Sequence, residues 1–164
     1  MTIAPTAFID ESYPYLISIG NNCTISNGVR LIAHDASTFK FTDQYTRLGK
    51  IEIKDNCYIG EKAIILPGVM IGPNVLIASG SVVNKDIPPN SCVAGVPARF
   101  YAKFEDYIAK HKEQIKQRGI FEYADLQSKI NEDLKKKVKE SVQNGDAYVK
   151  GYVGKYPYTF NNEK

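Results

Sequence analysis

His34 is the residue whose type and position are best suited to chemistry. The chain has two histidines, and His34 stands in the segment LIAHDAS, where a regular pattern of aliphatic residues gives way to a polar stretch. A neutral imidazole near pH 7 can accept the proton of an attacking hydroxyl. A histidine at such a junction can equally be structural, so the residue alone does not decide.

Asp35 follows His34 directly. A carboxylate beside a histidine base can fix its tautomer and stabilise the imidazolium. Adjacent side chains on an extended segment point apart, however, so Asp35 can equally cap the loop or contact an acceptor. In that case a backbone carbonyl would orient the ring of His34.

A six-residue repeat must position these groups. Aliphatic residues recur at every sixth position without a miss at Ile53, Ile59, Ile65, Ile71, Ile77 and Val83. The earlier members of the pattern are Ile3, Ile9, Ile19, Ile25 and Leu31. A small or modest residue follows four positions later at Ala7, Cys23, Val29, Cys57, Ala63, Val69, Val75 and Ser81. Neither a helix nor a simple strand has this period.

A triangular coil explains the period. Each side is a short strand with one inward aliphatic residue, three hexapeptides make one turn of about 18 residues, and successive turns stack by strand pairing. A sandwich of short strands would instead show alternation with turn residues every 8 to 12 positions. The sequence therefore predicts a mainly β chain.

One interruption and one change of composition divide the chain. The polar and aromatic stretch at about 35–50 lacks the period and is expected to leave the coil as an external loop. The period ends at Arg99, which predicts a β domain over 1–99 and a helical extension with an aromatic tail over 100–164. Helices are expected over 100–118 and 122–143. Tyr148, Tyr152, Tyr156, Tyr158 and Phe160 are expected to dock on a neighbouring surface.

The composition excludes several classes of protein. Of 164 residues 43% are hydrophobic and 24% charged, which is too apolar for disorder. The chain lacks a long apolar run and a signal-peptide pattern, so a cytoplasmic protein is expected. The net charge of +3 does not indicate a nucleic-acid partner. The lysines at 135–137 and 139 fit a solvated helix face better than a membrane contact. Three cysteines without metal-ligand spacing are expected to be reduced packing residues, and no metal site is expected.

The segment 51–99, above all IGEKAIILPGVMIG and KDIPPNSCVAGVPAR, resembles the hexapeptide-repeat acyltransferases, in particular the maltose, galactoside and polysaccharide O-acetyltransferase branch. The resemblance covers residues 3 to about 105. It implies a left-handed parallel β-helix and a homotrimer with active sites in clefts between neighbouring prisms. It also implies acetyl-CoA as cosubstrate and a sugar, nucleotide sugar or glycan precursor as acceptor.

The resemblance also assigns roles to residues. His34 occupies the junction of the family's catalytic histidine, and donor contacts map to Glu61, Ser79, Asn84 and Lys85. Lys85 and Arg99 suit the phosphates of CoA. Glu61 stands where many relatives have serine, and its carboxylate would repel a developing oxyanion, so a backbone N–H is expected to donate there.

Acceptor contacts are less clearly marked. No motif here matches the family's acidic acceptor-binding residue, so Asp10 and Glu11 are expected to face solvent. The external loop, which contains Phe39, Phe41, Tyr45 and Arg47, is the better candidate for contacting a sugar ring or covering the cleft.

Three alternatives to O-acetylation remain. N-acetylation of a nucleotide-linked amino sugar is the nearest, since related prisms use a similar histidine. A γ-class carbonic anhydrase needs three histidine ligands, and this chain has two histidines. A non-catalytic assembly module is disfavoured by the presence of His34 at the junction and of the KDIPPN and GVPAR segments.

Overall fold

The computed structural model of the chain describes residues 1–143 and 145–151. These residues belong to two compact units, Met1–Glu105 and the part from Asp106 onward. No helix among them has the length and apolar character that a membrane crossing requires. Tyr152, Tyr156, Tyr158 and Phe160, for which docking is expected, lie outside the described residues.

The first unit consists of short strands joined by turns. Its strands are β1 (Thr2–Ile3), β2 (Phe8–Ile9), β3 (Ile17–Ile19), β4 (Thr24–Ile25), β5 (Arg30–Leu31), β6 (His34–Asp35), β7 (Arg47–Leu48), β8 (Ile51–Ile53), β9 (Tyr58–Ile59), β10 (Ile64–Ile65), β11 (Met70–Ile71), β12 (Val75–Ile77), β13 (Val82–Val83), β14 (Ser91–Ala94) and β15 (Arg99–Lys103).

Three sheets carry the coil. Their strand orders are β1-β4-β9-β12-β14-β15, β2-β5-β10-β13 and β3-β8-β11, and all pairings in them are parallel except β14 with β15. The register aligns Ile53 with Ile71 and Ile65 with Val83. Residues 18 positions apart are therefore stacked on consecutive coils, as three hexapeptides per turn predict.

The core lies inside the coil. Seven aliphatic residues of the repeat have no exposed surface, namely Ile25, Leu31, Ile59, Ile65, Ile71, Ile77 and Val83. Burial of one such side chain contributes about 1.5–3 kcal/mol. The small residues four positions later are buried as well, apart from Ala7, which is half-buried. Cys23, Cys57 and Cys92 are free and buried, and they pack within the coil.

Close approach of neighbouring coils explains the glycines that follow some of the inward aliphatic residues. A Cβ atom on Gly60 would stand 2.5 Å from the backbone nitrogen of Ser79, and one on Gly72 would stand 2.6 Å from the nitrogen of Pro89. Both neighbours are backbone atoms of the next coil and cannot move aside independently. These corners therefore require glycine for space.

At another corner, asparagines of consecutive coils form a ladder of side-chain hydrogen bonds. Asn22, Asn56, Asn74 and Asn90 all have positive φ angles between 52° and 58°. Each side-chain amide donates to the next, with distances of 2.8 Å, 3.2 Å and 2.8 Å. Asparagine tolerates the left-handed conformation better than most residues, so the ladder stabilises a turn that every coil must repeat.

The repeat is interrupted twice, and the prediction of a single interruption is wrong. Ile9 and Ile19 are ten positions apart instead of six, and the intervening segment contains a 3-10 turn at Pro14–Leu16. The longer interruption lies one coil later, between β5 and β8. Because β2 pairs with β5 and β3 with β8, both insertions leave the coil at the same corner.

The second unit contains most of α1 (Phe104–Gln117), then β16 (Ile120–Glu122), α2 (Tyr123–Ser128), α3 (Glu132–Ser141) and β17 (Tyr148–Lys150). Two helix predictions need correction. Residues 100–103 are extended because they pair with β14. The helix expected over 122–143 is broken because the side chain of Asn131 accepts the N–H of Leu134 and begins a new helix.

Candidate active site

His34 and Asp10 meet at the corner from which the two insertions leave. The Nδ1 atom of His34 lies 2.5 Å from Oδ2 of Asp10. Asp10 is 1% exposed, whereas 34% of the His34 side chain is exposed. Asp10 follows β2 and His34 begins β6, so stacking of consecutive coils brings together residues that are 24 positions apart.

The Asp10 carboxylate is buried but well bonded. Its Oδ2 also accepts the N–H of Ala33 at 2.9 Å, and its Oδ1 accepts the N–H of Ser12 at 3.1 Å. Burial by itself would raise the pKa of this carboxyl, but the hydrogen bonds from His34, Ala33 and Ser12 outweigh it, so the pKa lies below its ordinary value. A carboxylate that stays ionised can only accept from Nδ1–H, which leaves Nε2 as the basic nitrogen of a neutral ring.

This pair corrects the expectation for Asp10 and decides between the alternatives left open for Asp35. Asp10 does not face solvent, although Glu11 beside it is exposed. The carboxylate that orients His34 is that of Asp10 and not that of Asp35. Asp35 accepts the N–H of Ser37 at 2.8 Å, and this hydrogen bond is the main reason that the pKa of its carboxyl is lowered. Asp35 therefore closes the first turn of the loop, as adjacent side chains that point apart allow.

Tyr13 is a neighbour of His34 that sequence reasoning missed. The two rings meet edge to face, with centroids 5.5 Å apart and planes at 60°. Tyr13 immediately precedes the 3-10 turn Pro14–Leu16 of the shorter insertion. The spacing of ten positions between Ile9 and Ile19 is the signal that could have drawn attention to both Asp10 and Tyr13.

The longer insertion forms a hairpin on the same corner. Strands β6 and β7 pair in antiparallel fashion, and Gly49 donates its N–H to Ala33 at the base of the loop. Phe41 is 85% and Tyr45 74% exposed. The guanidinium of Arg47 donates to the carbonyl of Pro67 at 3.3 Å, which ties the loop to the next coil.

The predicted donor residues lie in two groups. Asn84, Lys85 and Arg99 line one surface pocket of about 350 Å³. Phe100, which is 60% exposed, lines the same pocket and was not predicted. Asp86 also lines it, but its Oδ1 accepts the backbone N–H of Met70 at 2.7 Å. The pocket thus presents two cations, one carboxylate and an aromatic ring.

Glu61 and Ser79 form the second group, at one corner of consecutive coils. The carbonyl of Glu61 accepts the N–H of Gly80 at 2.8 Å, and the side chains of Glu61 and Ser79 are exposed. Lys62 lies beside this corner, with its Nζ 3.8 Å from Oε1 of Glu61. An exposed pair at that distance contributes little to stability.

Comparison with known proteins identifies the architecture. The family model "Bacterial transferase hexapeptide (six repeats)" matches residues 50–85, and "Hexapeptide repeat of succinyl-transferase" matches residues 17–33. Protein CapG of Staphylococcus aureus is 40% identical over 128 residues, which are 76% of this chain and 69% of CapG. The chain belongs to the hexapeptide-repeat acyltransferase family.

Other hexapeptide-repeat proteins match over the coil. Galactoside O-acetyltransferase of Escherichia coli K12 is 39% identical over 98 residues, which are 56% of this chain and 46% of that protein. The chain thus spans about half the length of this curated relative.

Two solved structures of the family share the fold. A galactoside acetyltransferase in complex with coenzyme A has a TM-score of 0.51 and 30% identity, over 66% of this chain and 67% of that one. A hexapeptide-repeat acetyltransferase of Vibrio cholerae complexed with acetyl coenzyme A has a TM-score of 0.52 and 29% identity, over 62% of this chain and 59% of that one.

The second histidine belongs to the second unit. His111 is on α1, where its Nδ1 is 3.0 Å from the hydroxyl of Tyr148, and that hydroxyl donates to Gln114. The ring of His111 also packs against Tyr107 at 4.6 Å. Within the described residues no cluster of three potential metal ligands is present. His111 is therefore a packing residue of the second unit.

Proposed function

We propose that the protein is an acetyl-CoA-dependent O-acetyltransferase that acts on a hydroxyl of a sugar or glycan precursor. The observation that carries this proposal is the contact between the buried carboxylate of Asp10 and Nδ1 of His34. A relative with 39% identity and a related structure with 30% identity are named galactoside acetyltransferases, which supports the acceptor class.

His34 is the general base of the proposed reaction. As the acceptor oxygen attacks the thioester carbonyl, Nε2 of His34 takes the hydroxyl proton and the ring becomes an imidazolium. Asp10 stabilises that charge through Nδ1–H without becoming protonated. When the carbon–sulfur bond breaks, Nε2 returns the proton to the leaving thiolate, so His34 ends the cycle neutral.

The pocket with Asn84, Lys85 and Arg99 fits the donor. CoA is rich in phosphate, and a cation that pairs with phosphate forms a stronger hydrogen bond than a neutral group does. Lys85 and Arg99 are both exposed at this pocket, and Phe100 offers a ring face beside them. When bound, acetyl-CoA supplies the activated acetyl group. A backbone N–H at the corner of Glu61 and Ser79 is expected to donate to the thioester oxygen, because the Glu61 carboxylate would repel developing negative charge.

The remaining architecture is part of the same proposal. We expect the coil to be a left-handed β-helix over 1–99, followed by an extension over 100–164. Three copies would form a homotrimer whose clefts hold the active sites, in the cytoplasm. The small core of a four- or five-turn prism and its flat exposed sides favour self-association. Light scattering at micromolar concentration tests the trimer, and a stable monomer would contradict it.

Release of CoA from acetyl-CoA tests the activity. The protein is assayed with a panel of sugars, nucleotide sugars and oligosaccharides, and products are identified by mass spectrometry. His34→Ala is expected to lower turnover by about 100-fold or more. His111→Ala is the matched control, since it removes the other histidine from a site without reacting groups. Unchanged turnover in His34→Ala would refute the base, and acetylation of amino groups alone would favour the N-acetyltransferase.

A further inference from the structure

The shorter insertion places two tyrosines at the candidate active site. Tyr13 contacts the ring of His34 edge to face at 5.5 Å, and Tyr15 contacts Tyr13 in the same manner at 6.3 Å with an interplanar angle of 76°. Tyr13 is half-buried, whereas Tyr15 is 76% exposed. These two residues, the tyrosine pair, extend an aromatic surface from His34 outward into solvent.

The tyrosine pair is held by a short rigid turn. Pro14 fixes the backbone between the two tyrosines, and the N–H of Leu16 donates to the carbonyl of Tyr13 at 3.0 Å. The turn also returns the chain to β3, whose pairing with β8 anchors it. Because few rotatable bonds remain, a ligand that stacks on Tyr13 loses little of its binding energy to ordering the protein.

A ring with one apolar face matches this surface. The C–H groups on one face of a pyranose can pack on an aromatic ring, while its hydroxyl groups project from the rim. Since Nδ1 of His34 is occupied by Asp10, the free nitrogen Nε2 is the one that a rim hydroxyl must reach. An acyclic polyol has equivalent hydroxyl groups but presents no rigid face to stack.

We propose that the tyrosine pair selects a cyclic acceptor, a pyranoside whose apolar face packs against Tyr13 with one hydroxyl directed to His34. This proposal rests on the O-acetyltransferase proposed above, and it narrows the acceptor class to ring sugars. Tyr13 acts by positioning the acceptor and does not exchange a proton.

Separate measurements of acceptor binding and of turnover test the role of the tyrosine pair. Saturation-transfer NMR compares a panel of methyl pyranosides with the acyclic hexitol, using the full chain without acetyl-CoA. CoA release is then measured for wild type, Tyr13→Phe and Tyr13→Ala. We expect pyranosides to bind and the hexitol not to bind. Tyr13→Ala should raise the KM for the pyranoside by about tenfold, while Tyr13→Phe stays close to wild type.

The outcomes separate the two proposals. Loss of pyranoside binding in Tyr13→Ala but not in Tyr13→Phe supports the tyrosine pair even if no acceptor releases CoA, in which case the O-acetyltransferase fails alone. Equal binding of hexitol and pyranoside, no pyranoside binding to wild type, or wild-type binding by Tyr13→Ala overturns the tyrosine pair. If the KM for acetyl-CoA rises in Tyr13→Ala as much as the KM for the acceptor, the variant has a structural defect. That result would also overturn the proposed role of the tyrosine pair.

Discussion

Asp10 lies 2.5 Å from Nδ1 of His34 although it belongs to the preceding coil, and it is the more buried of the two residues. The carboxylate is fixed by two backbone N–H groups in addition to the imidazole. It therefore defines both the position and the tautomer of the ring. Asp35, which is next to His34 in sequence, takes no part in this contact and closes the loop turn instead.

Asp10→Asn is expected to lower turnover strongly. The amide cannot stabilise the imidazolium as a carboxylate does, and its NH₂ group can oppose the required tautomer. We expect kcat to fall by about 100-fold or more, with the KM for acetyl-CoA nearly unchanged. Steady-state CoA release measures both constants. Asp35→Asn is the matched control, and an equal loss in that variant would contradict the assignment of Asp10.

The stability of the coil should depend on Asp10 in acid. The folded pKa of this carboxyl lies below its ordinary value of 3.8, so the unfolded chain binds the proton more readily. The stabilisation is complete at pH values above 3.8 and is lost as the pH falls through the lower, folded pKa. Urea unfolding of wild type and of Asp10→Asn between about pH 7 and about pH 3 measures this loss of stability. The difference in unfolding free energy between the two proteins should shrink in acid, and a constant difference would contradict the ionised pair.

Lys85 and Arg99 should control donor affinity. Removing either cation is expected to raise the KM for acetyl-CoA by about tenfold with little change in kcat, since the phosphates of the donor take no part in the bond changes of the reaction. Acetyl-CoA that lacks its 3′-phosphate tests whether that phosphate is the group bound. If it is, removing Lys85 or Arg99 should raise the KM for this shortened donor by a smaller factor than the KM for acetyl-CoA. Lys116→Ala on α1, whose side chain is 71% exposed, is the matched control. A KM within twofold of wild type in both pocket variants would exclude this pocket.

Gly60→Ala should destabilise the coil. The new Cβ would stand 2.5 Å from the backbone nitrogen of Ser79 and 2.6 Å from the carbonyl oxygen of Ile77, so the stacked coils must separate locally. We expect a loss of about 1–3 kcal/mol in the free energy of unfolding, measured in urea. Ser26→Ala, one coil earlier at the equivalent register, is the control and should lose less. Equal stability of wild type and Gly60→Ala would contradict the close approach.

The repeat could be predicted from the sequence because it is a local property. Each hexapeptide places one aliphatic residue inward whatever the rest of the chain does, and the predicted residues Ile59, Ile65 and Ile77 are all fully buried. The position of His34 at the junction with the loop was visible for the same reason. The end of α2 was harder to predict from the sequence. The side-chain pattern typical of a helix continues past this point, although the cap formed by Asn131 begins a new helix there.

The partners of His34 were decided by the tertiary structure. Asp35 is its neighbour in sequence, but an extended backbone turns adjacent side chains apart, whereas stacking of coils brings Asp10 to the ring from 24 positions away. That separation exceeds the 18 residues of one regular turn, because the insertion after Asp10 lengthens this coil, so that Ile9 pairs with Leu31 at a distance of 22 positions. The sequence thus determined the coil and its candidate base through periodicity, and the register between coils decided which carboxylate and which tyrosine meet that base.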